Sequence, residues 1–118
     1  MRVGAALVAC LTALAACGET EKQQLERTIL LTVENRTGAQ LWFFSYADCG
    51  SENYEGVIAG DEYVADGDDV SSPDLEPGCY DLYIEDEFGC FSDHTTDGNV
   101  PGGQEFLWTA KANDLTCP

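Results

Sequence analysis

The chain has 118 residues, 22 of them acidic and five basic, for a formal charge of −17 at neutral pH. That length allows one domain rather than two. So acidic a surface excludes nucleic acid and anionic lipid headgroups as partners held by charge, because both need Lys and Arg.

The chain opens Met1-Arg2 and then runs apolar from Val3 to Ala16, interrupted only by Gly4, Cys10 and Thr12. A positive start, a short apolar run and small residues at its end form the pattern of a secretory signal. Fourteen residues of helix rise about 21 Å, short of the roughly 30 Å of a hydrocarbon core, so a spanning helix is disfavoured. The run ends Leu14-Ala15-Ala16-Cys17-Gly18. This resembles the lipobox of bacterial lipoproteins, a Leu and two small residues before a Cys. The resemblance implies that residues 1–16 are removed and that the Cys17 thiol and amino group carry acyl chains, an effectively permanent membrane anchor. Leu7-Val8-Ala9-Cys10 also fits the pattern, but cutting there leaves too short an apolar run. In Gram-negative members of that family an Asp after the Cys retains the protein at the inner membrane; Gly18 therefore implies the outer membrane.

Removal of residues 1–16 leaves 102 residues with four basic side chains against 22 acidic ones, a formal charge of −18. The simplest role for this charge is to keep an exported domain soluble. It also leaves divalent cations and basic partners open. Residues 17–28 are the lipidated Cys and a polar tether; the stretch 18–28 spans roughly 18 Å as a coil and about 38 Å extended.

From Ile29 to Pro118 the signals are those of β-structure. Ile29, Leu31 and Val33 alternate with Leu30, Thr32 and Glu34, and Asn35-Arg36-Thr37-Gly38 supplies a turn. Leu41 to Tyr46 is aromatic at both parities, as in a strand covered on both sides or one carrying an exposed aromatic row. Residues 29–35 and 40–47 are expected to form a hairpin. Short strands are expected at 56–59, 62–65 and 69–72 in a stretch rich in Gly, Asp, Ser and Pro. Glu76-Pro77-Gly78 is the turn before the clearest strand, Cys79 to Glu85, in which Tyr80, Leu82 and Ile84 share a face. Cys90 to Thr95 should pair back on it, and Glu105 to Ala112 closes the domain. About seven short strands with frequent turns predict an antiparallel, Ig-like β-sandwich over 29–118. Asn35-x-Thr37-Gly38 and Gly78-Cys79-Tyr80-Asp81-Leu82 resemble an "N-x-T-G … G-x-Y-D" pattern of small exported bacterial domains. That group has no settled activity, so the resemblance carries over no functional residue.

Besides Cys17, the exported part holds Cys49, Cys79, Cys90 and Cys117, an even number in a small exported domain and hence two disulfides. A zinc site lacks a Cys-x-x-Cys pair and has only His94 to draw on. Cys79 and Cys90 each begin a strand of one hairpin, so they lie at its opposite ends. Seven strand residues separate them by roughly 20 Å, against a bridge limit near 7 Å. Two pairings remain. The end of one strong strand at Cys49 and the start of another at Cys79 favour Cys49–Cys79 with Cys90–Cys117.

No catalytic constellation is legible. Ser92, Asp93 and His94 are sequence neighbours, and the four cysteines are assigned to bridges. A small stapled sandwich rarely encloses the deep cleft that paired carboxylates of a glycoside hydrolase need. An enzyme is not expected, nor a cofactor. Asp61, Glu62, Asp66, Asp68 and Asp69 suggest calcium, but an EF-hand register on Gly67 places Val64 and Pro73 at ligand positions. On Gly98, Asp93 and Asp97 fit while Thr95 is weak and Gln104 stands at the closing position. Asn35-Arg36-Thr37 fits a glycosylation acceptor but is read as a turn. Trp42, Phe43, Phe44, Tyr46, Tyr80, Tyr83, Phe106 and Trp108 serve mostly as core, with any exposed remainder free to stack on a glycan or a partner protein. The sequence therefore predicts a lipid-anchored, non-catalytic envelope domain with a structural or interaction role. The alternative is a ligand-binding module for calcium or a cell-wall glycan.

Overall fold

A computed structural model describes residues 27–118; the expected signal segment, the expected lipidation site Cys17 and the expected tether up to residue 26 lie outside the described residues. Seven strands form two packed sheets: β1 (Leu30–Arg36), β2 (Leu41–Asp48), β3 (Glu55–Gly56), β4 (Asp69–Ser71), β5 (Tyr80–Asp86), β6 (Phe91–Thr95) and β7 (Glu105–Lys111), followed by a 3-10 turn at Ala112–Asp114. One sheet has the order β4-β1-β7 and the other β3-β2-β5-β6. The seven-stranded sandwich read from the sequence is the observed fold. Its pairings are antiparallel except for one, in which β1 lies parallel to β7 with Leu30 opposite Glu105 and Arg36 opposite Lys111.

Period-two alternation builds the core. Ile29, Leu31 and Val33 from the β1 side meet Phe44, Leu82 and Ile84 from the facing sheet, with Trp108 and Ala110 of β7 alongside. Full burial of each aliphatic side chain contributes about 1.5–3 kcal/mol. On its outer face β1 turns to polar chemistry: Thr32 Oγ1 bonds Ser71 Oγ at 2.7 Å and donates to Glu105, while Thr109 Oγ1 donates to Glu34 at 3.0 Å.

The expected hairpin between residues 29–35 and 40–47 does not form. Both edges of β1 are occupied, by β4 and β7, so β2 pairs instead with β3 and β5. The stretch 37–40 is an arch that carries the chain from one sheet to the other, and Asn35 holds it. Fully buried, Asn35 donates from Nδ2 to Ala39 O and Val64 O at 2.7 and 2.9 Å. Its Oδ1 accepts from Thr37 N and Oγ1 at 3.0 and 2.7 Å. Every polar atom of the side chain is satisfied, as burial of an amide requires. The short strands expected at 56–59, 62–65 and 69–72 contract to β3, an isolated Leu41–Val64 bridge and β4.

Two further side chains fix the ends of β5. Tyr80 Oη donates to Glu76 O at 2.6 Å, bending the chain into the strand in the manner of a tyrosine corner. At the other end the buried Asp86 accepts from Phe88 N and Cys90 N, both at 2.9 Å, and sets the turn into β6. The disulfides are Cys49–Cys79 and Cys90–Cys117, with Cα separations of 5.3 and 4.1 Å. The first continues the β2–β5 ladder, where Cys49 N donates to Cys79 O at 3.0 Å. The second ties the tail beyond β7 to the start of β6, beside the Phe91–Thr116 bridge.

Candidate functional site

The aromatic run Leu41-Trp42-Phe43-Phe44 breaks strand alternation, and the break is a β-bulge. Leu41 lies opposite Asp86 and Phe43 opposite Glu85, leaving Trp42 as an extra residue. Leu41 and Phe44 consequently enter the core while Trp42 and Phe43 both remain outside. An extra residue on one strand re-aims side chains in this way.

The chain beside β2 makes the matching detour. Val57 N donates to Phe44 O at 2.8 Å, and the ladder resumes only at Val64, which exchanges 2.9 Å hydrogen bonds with Leu41 in both directions. Residues 58–63 loop out between these two fixed points, tightened by Glu62 N donating to Ala59 O at 3.0 Å. Between the bulge and the detour lies a cleft of about 310 Å³ lined by Gln40, Trp42 and Phe43 and by the Gly60-Asp61-Glu62-Tyr63 segment of the detour. Trp42, Phe43 and Tyr63 are 46, 51 and 54 % exposed, an amount of aromatic surface that core packing does not account for. Gln40 Oε1 accepts the Trp42 indole N–H at 3.1 Å. Gln40 is itself held on both sides of its peptide: its N–H donates to Glu87 Oε2 at 2.8 Å and its carbonyl accepts from Glu87 N at 2.9 Å. The cleft is thus built on fixed backbone.

The outer face of the four-stranded sheet continues the aromatic surface. Tyr83 stacks on Phe91 with ring centroids 6.1 Å apart and donates to Glu85 Oε1 at 2.8 Å. Burial, then this hydrogen bond, pushes the Tyr83 phenol up to about 12. A more open hollow near the disulfide is lined by Tyr54, Asp81, Asp93, His94 and Thr95. Asp81 is already engaged there, accepting from Gly50 N at 3.1 Å.

Of the two tryptophans, Trp42 is exposed and Trp108 is core, its ring stacked on His94 at 4.9 Å. Ser92 and His94 point to the opposite side of β6 from Asp93, so these neighbours form no triad. The acidic residues considered for calcium are dispersed. Asp61 and Glu62 line the cleft, Asp66 accepts from Gly38 N at 2.9 Å, and Asp69 lies in β4. Among the described residues no three His, Cys, Asp or Glu side chains converge to hold a metal ion. Cys49, Cys79, Cys90 and Cys117 are all in disulfides, and Cys17 lies outside the described residues. Sequence reasoning missed Gln40 and Tyr63. An aromatic directly after two acids in a glycine-bounded loop was the available signal for Tyr63.

No protein-family model, curated protein or solved structure matches the chain.

Proposed function

We propose that the protein is a lipid-anchored, non-catalytic interaction module of the bacterial envelope that presents the Trp42–Phe43–Tyr63 cleft to a glycan. The observation that carries this reading is the placement of three half-exposed aromatic rings around one cleft by a bulge and a facing detour. Sugar rings offer apolar C–H faces to such planes, and hydroxyls to the Gln40 amide and the Asp61 and Glu62 carboxylates. The lipobox at Leu14–Cys17 supports the anchor, and Gly18 supports the outer membrane as its place.

Two measurements test the reading. Cys17→Ser should shift the protein from the membrane to the soluble fraction and abolish palmitate incorporation. Trp42→Ala should reduce co-sedimentation of the protein with isolated envelope polysaccharide while leaving its thermal unfolding unchanged. Retention of full glycan binding by Trp42→Ala would remove the cleft from the proposal.

A further inference from the structure

We infer that the glycan taken by this cleft carries free amino groups, so that a protonated amino sugar is the unit recognised; this rests on the glycan reading above. The cleft combines two features that a neutral sugar would use only in part. Its walls are aromatic, and the turn that closes it brings Asp61 and Glu62, both exposed, to the same opening. Among the described residues no Lys or Arg lines it, and the three basic ones lie elsewhere: Arg27 precedes the sandwich, Arg36 is paired with Glu34 at 2.7 Å, and Lys111 ends β7. The two carboxylates therefore meet no cation in the cleft among the described residues, inside a molecule whose formal charge is already −17.

A cationic occupant complements that arrangement twice. An ammonium group pairs with the carboxylates, and aromatic faces attract the same charge through their quadrupoles. The pyranose body supplies the apolar face that an isolated ammonium ion lacks. The volume of about 310 Å³ suits a small unit of a chain and lies at the low end of ligand pockets. An N-acetyl group would remove the positive charge and set a neutral amide against Asp61 and Glu62.

The test uses the detergent-solubilised full chain, with calorimetry and Trp42 fluorescence as readouts. The probes are glucosamine dimers and trimers, their N-acetylated counterparts and an oligolysine of matched charge. The amine-bearing sugars should bind about ten-fold more tightly than the acetylated ones. Asp61→Asn with Glu62→Gln should erase that difference, weakening the amine-bearing sugars to the level of the acetylated ones. The control pair Asp74→Asn with Glu76→Gln, at the opposite end of the sandwich, should change nothing. Equal binding of free and acetylated sugars would overturn the amine inference and leave the glycan reading standing, whereas binding of neither would overturn both. Binding of oligolysine but of no sugar would assign the cleft to a basic peptide. An equal loss from the control pair would reduce the effect to diffuse charge attraction, which also overturns the inference.

Discussion

The side-chain amide of Asn35 donates a 2.9 Å hydrogen bond to the carbonyl of Val64, joining the end of β1 in one sheet to the Leu41–Val64 bridge beside the cleft in the other. One residue thus supports both the sandwich and the site.

Asn35→Ala would leave the Thr37 N–H without its acceptor at a position with no access to water, and would take one hydrogen bond each from Ala39 O and Val64 O, which keep Thr37 Oγ1 and Leu41 N as donors. One buried donor left unpaired costs about 1–3 kcal/mol and each further lost hydrogen bond about 0.5–1.5 kcal/mol, so a total loss of about 2–4 kcal/mol is expected after partial relaxation. Urea unfolding measures it. Amide exchange at Leu41 and Val64 should also accelerate, and a loss below about 0.5 kcal/mol would contradict the anchoring role.

The two disulfides close loops of nearly equal length, with sequence separations of 30 and 27. Chain entropy assigns each about 3.5 kcal/mol, so replacing either pair by Ser should lower the melting temperature on the order of 15 °C. Similar losses for the two pairs are the expected outcome in calorimetry. A much larger loss for Cys90–Cys117 would show that its tie between the C-terminal tail and β6 adds native-state enthalpy to the entropic effect.

The alkaline limb of stability should depend on Tyr83. Burial first, then the Glu85 hydrogen bond and nearby carboxylates, raise its phenol from an ordinary value of 10.0 to about 12. The fold favours the neutral phenol, so this contribution is whole below 10 and is lost as pH rises through about 12. Tyr83→Phe should flatten the fall in melting temperature over that window and delete the last phenolate to appear in ultraviolet titration. Tyr46, Tyr54 and Tyr80 are raised by burial as well, so the fall should flatten and not vanish. An unchanged alkaline slope would refute the assignment.

Salt should stabilise the fold by relieving self-repulsion among the acids. Sodium chloride and calcium chloride at matched ionic strength are expected to raise the melting temperature equally. A specific calcium site would add about 2.7 kcal/mol at 100 times its Kd. A saturable excess with calcium, removed by Asp→Asn changes at Asp66 and Asp68, would restore the metal reading.

Local pattern carried much of the fold. Tyr80, Leu82 and Ile84 announce their shared face by simple alternation; the placement of Cys79 and Cys90 at opposite ends of a hairpin removed one pairing, and Cys49 ending a strand where Cys79 begins another pointed to the observed one. What stayed hidden was non-local. Asn-Arg-Thr-Gly reads as a hairpin turn until the neighbours of β1 are known; with β4 and β7 on its two edges, the same residues become an arch. The parallel β1–β7 pairing joins residues 75 positions apart, as between Leu30 and Glu105, and nothing local signals it. The cleft was half visible. Aromatics at both parities in Leu41–Phe44 marked the irregularity, but only the ladder register shows that Trp42 is surplus and that residues 58–63 detour around it.

The central position of β1 also has a mechanical consequence. Its Leu30 end receives the chain arriving from the N-terminus, while its Arg36 end leads directly into the arch and Gln40 at the cleft. A molecule held at its N-terminal end and tugged by whatever fills the cleft would be stretched along β1. The seven register positions shared with β7 and the three shared with β4 would then bear the load together, in shear. Peeling them apart one at a time would require a pull across the strand, a direction that this arrangement of grip and load avoids.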